Sequence, residues 1–131
     1  MATRPISPHL SVYKMSRYTL ATSILNRLAG LALSAGLALL VYWLLAVAGG
    51  ARAQARAERL LALPAMKLVC AALIAAYCYH LVAGIRHLVW DTGRALERAQ
   101  SQRSAWLVVA ASIALMLLVG YCAFALGGRA P

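Results

Sequence analysis

Apolar positions in this chain are gathered into long unbroken runs instead of recurring at the spacing of a half-buried soluble helix. Residues 28–48 carry no charged side chain over 21 positions, and residues 106–126 none over another 21. Residues 68–85 form a third run of 18, interrupted only by His80. An α-helix rises 1.5 Å per residue, so about 20 apolar residues cross the ~30 Å hydrocarbon core of a bilayer. The pattern predicts an all-α integral membrane protein with three transmembrane helices, at about 21–48, 65–90 and 105–126. A polar arm over 1–18 precedes them, and the whole of 1–131 reads as one domain.

The boundaries carry their own signals. Thr19 or Thr22 is expected to cap the first span, and Gly49 and Gly50 to end it. Residues 51–63, rich in alanine and arginine, predict a short interfacial helix. Pro64 suits the first turn of the second span, where its missing amide hydrogen has no partner to lose. Ser101 and Ser104 are candidate caps for the third span. Trp43, Trp90 and Trp106 fall near span ends, where amphipathic rings anchor at the interface. Gly30, Ser34 and Ala38 form a ridge of small residues suited to close helix approach. No internal repeat is present.

Composition narrows the function. The chain is 63% hydrophobic with a mean hydropathy of +0.75, against roughly half apolar in a soluble domain. Its formal charge of +10 does not point to nucleic acid. Most of the basic residues lie in the arm and the connections, where lipid head groups and topology select for them. The two sides are nearly balanced; Arg27 and Arg86 lean the N-terminus towards the cytoplasm. Cys70, Cys78 and Cys122 lie within the apolar runs and read as small packing residues. The N-terminal segment reads as neither a signal nor a transit peptide.

Two groups of residues carry candidate chemistry. His80 and His87 are seven positions apart, within about 20° of two full turns, and so share a helix face. Gly84 lies between them and leaves a recess one turn from His80. A neutral imidazole in an apolar setting is a good axial ligand for haem iron. The two rings stand about 10.5 Å apart along the axis, too far to ligate one metal together. An interhelical hydrogen bond is the plainer role for either. His87 with Arg86 and Asp91 reads as a polar cluster, with Asp91 at the pairing distance of four residues from His87.

The second group is TSILNRLAG, 22–30. Ser23 and Arg27 share a face, with Asn26 beside them. Arg27 either snorkels to head groups or presents fixed donors to an anionic or carbonyl ligand such as a haem propionate or a quinone. No nucleophile with its base, phosphate loop or metal-cysteine array accompanies these groups.

Three segments, RPISPHLSVY (4–13), SILNRLAG (23–30) and HLVAGIRHLVWD (80–91), together resemble the cytochrome b-type membrane-anchor subunit of succinate dehydrogenase, respiratory complex II. The resemblance extends over essentially the whole chain. It implies a haem b- and quinone-binding anchor, not catalytic alone, within a succinate:quinone oxidoreductase that reduces ubiquinone. The implied partners are a second small anchor subunit supplying the other haem ligand, an iron–sulfur subunit, a flavoprotein subunit and the lipid membrane, with no nucleic acid. By the same resemblance His80 is the haem ligand, Ser23 and Arg27 serve the quinone, and Arg27 also faces a haem propionate. Arg86, His87 and Asp91 fall near quinone or haem. The implied location is the bacterial inner (cytoplasmic) membrane, multi-pass, with the N-terminus cytoplasmic.

One departure stands out. The family pattern S-x-x-H-R-x-[ST]-G reads here with Asn26 and Ala29. Asparagine can hydrogen-bond a propionate but cannot become cationic, which shifts propionate anchoring onto Arg27. Two alternatives stay open: a fumarate reductase anchor running the reverse reaction, and a haemless structural or transporter-associated membrane protein.

Overall fold

The computed structural model describes residues 17–127. The motif at 4–13 and most of the expected arm lie outside them. Four helices follow in order: α1 (Arg17–Ala48), α2 (Ala51–Ala62), α3 (Pro64–Asp91) and α4 (Arg98–Gly127). α1, α3 and α4 are each long and apolar enough to cross a membrane. Among the described residues no strand occurs.

The helix ends follow local chemistry, though not always the expected one. Gly50 takes φ +86, a left-handed conformation that costs glycine little. Its carbonyl accepts from the amides of Ala53 and Gln54 at 3.0 Å, which starts α2 directly after α1. Leu63 is extended between α2 and α3, and Pro64 opens α3 as its composition predicts. α1 begins before both candidate caps, so Thr22 stands inside the helix and its hydroxyl donates to the Thr19 carbonyl at 3.1 Å. α4 likewise begins at Arg98, ahead of Ser101 and Ser104. All three hydroxyls are interior residues, not caps, and they have another use.

α3 is the central helix, packed along α1 on one side and α4 on the other. The buried apolar positions are small: Ala29, Ala46, Ala57, Cys78, Ala83, Ala105 and Val108. Short side chains let backbones approach, and the gain is dispersion rather than removal from water, since lipid is as apolar as leucine. Gly36 shows the closeness, for a Cβ there would stand 2.7 Å from Leu73 Cδ2. The ridge foreseen at Gly30, Ser34 and Ala38 is only partly used. Gly30 meets α3, while Ser34 and Ala38 turn outward and are exposed. Cys78 is buried, Cys70 half-buried and Cys122 exposed, all as free thiols. Cys122 is thus not a packing residue within this chain.

Candidate functional site

The polar side chains of the spans gather at one end of the bundle, formed by the start of α1, the end of α3 and the start of α4. They lie in two layers. His80 occupies the deeper one, about 9 Å further into the span than Arg86, by helical rise.

In the deep layer the His80 ring lies against Gly30 of α1. A Cβ at position 30 would be 3.1 Å from His80 Cε1, so only glycine leaves the imidazole its full room. His80 Nδ1 is 3.1 Å from the backbone carbonyl oxygen of Asn26. A carbonyl can only accept, so Nδ1 carries the hydrogen, and in a neutral imidazole that leaves the lone pair on Nε2. Among the described residues nothing engages Nε2. On the next turn of α3, nothing stands within 4 Å of where a Gly84 Cβ would project. Asn26 Oδ1 is buried and has no hydrogen-bond partner, a condition that costs about 1–3 kcal/mol.

The shallow layer is built on Arg86, which is only 7% exposed. Its Nε donates to Ser104 Oγ at 2.9 Å and its Nη1 to Thr22 Oγ1 at 3.2 Å. Its Nη2 donates to the Ser101 carbonyl at 2.9 Å and to Ser101 Oγ at 3.3 Å. The guanidinium carbon lies 4.1 Å from the centre of the Trp90 ring, within reach of a cation–π attraction. Tyr79 completes the layer by donating to the Thr22 carbonyl at 2.9 Å. None of the chain's acidic residues pairs with Arg86. Neutral oxygens and an aromatic face replace water around this cation.

The remaining candidates stay apart from both layers. Ser23 is half-buried and Arg27 exposed, and among the described residues neither makes a hydrogen bond or ion pair. His87 donates through Nδ1 to its own helix at the Ala83 carbonyl, 2.7 Å away, and its ring tilts against Trp90 at 5.4 Å. The expected pairing of His87 with Asp91 is not formed. Asp91 is exposed at the end of α3. Trp90, one residue from the end of α3, also has work within the chain: its indole donates to the Ala95 carbonyl at 3.1 Å and its face covers Arg86. Trp43 and Trp106 are exposed.

A sequence model of the succinate dehydrogenase/fumarate reductase transmembrane subunit family matches residues 2–119. The chain belongs to this family. It is 37% identical over 115 residues to the succinate dehydrogenase cytochrome b556 subunit of Paracoccus denitrificans, covering 88% of each chain. It is 36% identical over 116 residues to the same-named subunit of Rickettsia typhi, covering 88% of this chain and 90% of that one. It is 37% identical over 112 residues to the mitochondrial cytochrome b560 subunit of Bos taurus, covering 84% of this chain and 66% of that one. As a member of this family the chain is a multi-pass membrane anchor of complex II.

Within the family's three-span frame, the structure adds residues that the motifs did not single out. Thr22, not Ser23, joins the buried network. Tyr79, Ser101 and Ser104 join it too, although their spacing gives no hint of a shared partner. Gly30 faces His80 across 50 positions of sequence. The signal that could have found this cluster was charge bookkeeping, since a buried arginine with no acid in reach must collect hydroxyls and carbonyls.

Proposed function

We propose that this chain is the haem b- and quinone-binding anchor of a bacterial succinate dehydrogenase, carrying electrons delivered by an iron–sulfur subunit towards ubiquinone. The observation that carries this is the His80 imidazole, fixed by the Asn26 carbonyl with Nε2 free. A ligating histidine needs that tautomer, and the backbone acceptor both orients the ring and raises its basicity. Gly30 leaves room for the imidazole itself, and at Gly84, one turn along, nothing stands within 4 Å of where a Cβ would project, which suits a flat macrocycle. The donor set fits a haem.

When bound, haem b supplies a one-electron redox centre; the surrounding residues supply position and electrostatics. His80 would hold the iron from α3. His87 lies seven residues further along and is tied to Ala83, so a further ligand would come from a second anchor subunit. Asn26 and Arg27 face the propionate edge, Asn26 as a neutral hydrogen-bonding group and Arg27 as a fixed cation. Ser23 and Arg27, one turn apart on one face of α1, present a hydroxyl and a guanidinium suited to a quinone carbonyl at the interface with a partner. Asp91, exposed at the membrane end of α3, is placed to pass protons. The N-terminus is assigned to the cytoplasmic side of the inner membrane, with the flavoprotein and iron–sulfur subunits docked at that face.

A reduced-minus-oxidised absorbance spectrum tests the proposal on the complex purified through a tag on this chain. A b-type signal present in the wild type and lost in His80→Ala, with succinate-dependent quinone reduction in the wild-type fraction, is the expected result. A wild-type complex with dehydrogenase subunits and no haem overturns the haem assignment. A preference for low-potential quinol and fumarate marks the reverse-running anchor instead.

A further inference from the structure

We propose that the basic face of α2 binds the headgroup of an anionic phospholipid in the leaflet opposite the Arg86 layer. α2 joins the end of α1 to the start of α3, which places it at the bilayer face remote from Asp91 and Ser101. Arg52, Arg56 and Arg59 follow one another at intervals of four and three residues, so they fall within about 60° of one helix face. All three are exposed, and among the described residues no hydrogen bond or ion pair engages them. Glu58, the one acid of α2, projects at least about 100° away from that face by helical periodicity. It already accepts from Gln54 at 2.8 Å. Three unpaired guanidinium groups in a row are the chemistry that recognises phosphate, through planar donors that fork onto its oxygens.

The helix is held so that this face cannot roll inward. Ala57, on the far side, is 0% exposed. Ala53 packs so close that a Cβ at Gly49 would stand 3.2 Å from its own. Arg56 also forms the lip of a groove of about 300 Å³ whose other walls are Tyr42, Leu45, Ala46 and Ala53. A guanidinium at the lip with an apolar wall beneath matches an amphiphile: the phosphate on Arg56 and its neighbours, an acyl chain along Tyr42 and Leu45. An acidic protein segment would satisfy the charges but leave the apolar wall unfilled. Lipid is therefore the occupant that the whole feature fits.

The test uses the intact complex, purified through this chain and exchanged into nanodiscs of phosphatidylcholine with a minority of phosphatidylglycerol. Native mass spectrometry then counts retained lipids. The wild type is expected to hold phosphatidylglycerol in preference to phosphatidylcholine. Each arginine near an anionic surface is worth about fivefold in affinity, so Arg52→Gln, Arg56→Gln and Arg59→Gln together are expected to weaken retention by about a hundredfold. Arg56→Lys, which keeps the charge, retains most of it. Arg94→Gln with Arg98→Gln, at the opposite face, leaves retention unchanged. Equal retention in wild type and triple variant overturns the proposal, as does an equal loss in the opposite-face pair. Loss of a protein subunit with lipid retention intact overturns it in favour of an acidic protein partner. Should the triple variant fail to assemble, Arg52→Gln alone reads the same quantity, and unchanged retention there overturns the proposal.

Discussion

The Arg86 guanidinium on α3 donates through Nη1 to the Thr22 hydroxyl on α1 at 3.2 Å, while Nε holds Ser104 on α4 at 2.9 Å. One side chain thus closes all three spans at a single level. Arg86→Leu is expected to lower the stability of the assembled anchor by about 2–4 kcal/mol, since it deletes several hydrogen bonds from a charged donor and leaves hydroxyls of α1 and α4 without their shared partner. Arg86→Lys recovers at most part of that, because an ammonium cannot fork to three partners in one plane. Resistance of the detergent-solubilised complex to heat or denaturing detergent checks this. An unchanged midpoint in Arg86→Leu would rule out the clamp.

Gly30 sets the space for the His80 ring. In Gly30→Ala the new methyl meets Cε1 at 3.1 Å, so the ring must shift by a few tenths of an ångström. The expected outcome is an assembled complex whose haem midpoint potential or spectrum is displaced. Gly30→Val, with a branched side chain at the same point, is expected to lose haem. A redox titration followed optically reads both. A wild-type potential and full haem content in Gly30→Val would show that the ring does not need this contact.

Asn26 makes opposite predictions for the two states of the protein. Its buried Oδ1 has no partner in the chain, so Asn26→Ala removes a desolvation penalty of about 1–3 kcal/mol and leaves the haem-free anchor no less stable. With haem bound, the Asn26 side-chain NH2 is proposed to donate to a propionate oxygen, so the same change is expected to lower haem retention under dilution. Stability falling in both states to the same degree would mark Asn26 as a packing residue only.

Asp91 is exposed and free of its expected histidine partner. A carboxylate placed so can exchange protons with water. Asp91→Asn is expected to slow quinone reduction by about tenfold or more while leaving the haem spectrum unaltered, because proton delivery is lost and the ligand set is not touched. Steady-state quinone reductase rates alongside the spectrum decide it, and an unchanged rate removes Asp91 from the proton path.

The architecture was legible because it rests on one coarse variable, the length of charge-free runs, which the bilayer imposes directly. Pro64 and the Gly49–Gly50 pair mark their breaks unambiguously for the same reason: backbone chemistry at those residues is local. Hydroxyl side chains are less transparent. Thr22, Ser101 and Ser104 look like caps in one dimension, yet the helices start earlier and the three hydroxyls converge on Arg86 from different spans. Trp90 is similar, for its position near a span end gives no sign of the Ala95 carbonyl its N–H meets or of the arginine its ring face covers. Nothing local in sequence records a tertiary contact such as Gly30 with His80. His80 itself was visible because an imidazole deep in an apolar run has few reasons to be there.

Ser34 and Ala38 face away from α3 and are exposed in this chain, as are the unengaged Arg27 and most of the apolar surface of α1. Genetically, this divides the first span into two kinds of position. Changes at Gly36 or Ala29 are felt by the chain itself. Changes at Ser34 or Ala38 leave the isolated subunit untouched and act only through whatever packs on it, so their suppressors are to be sought in a different gene.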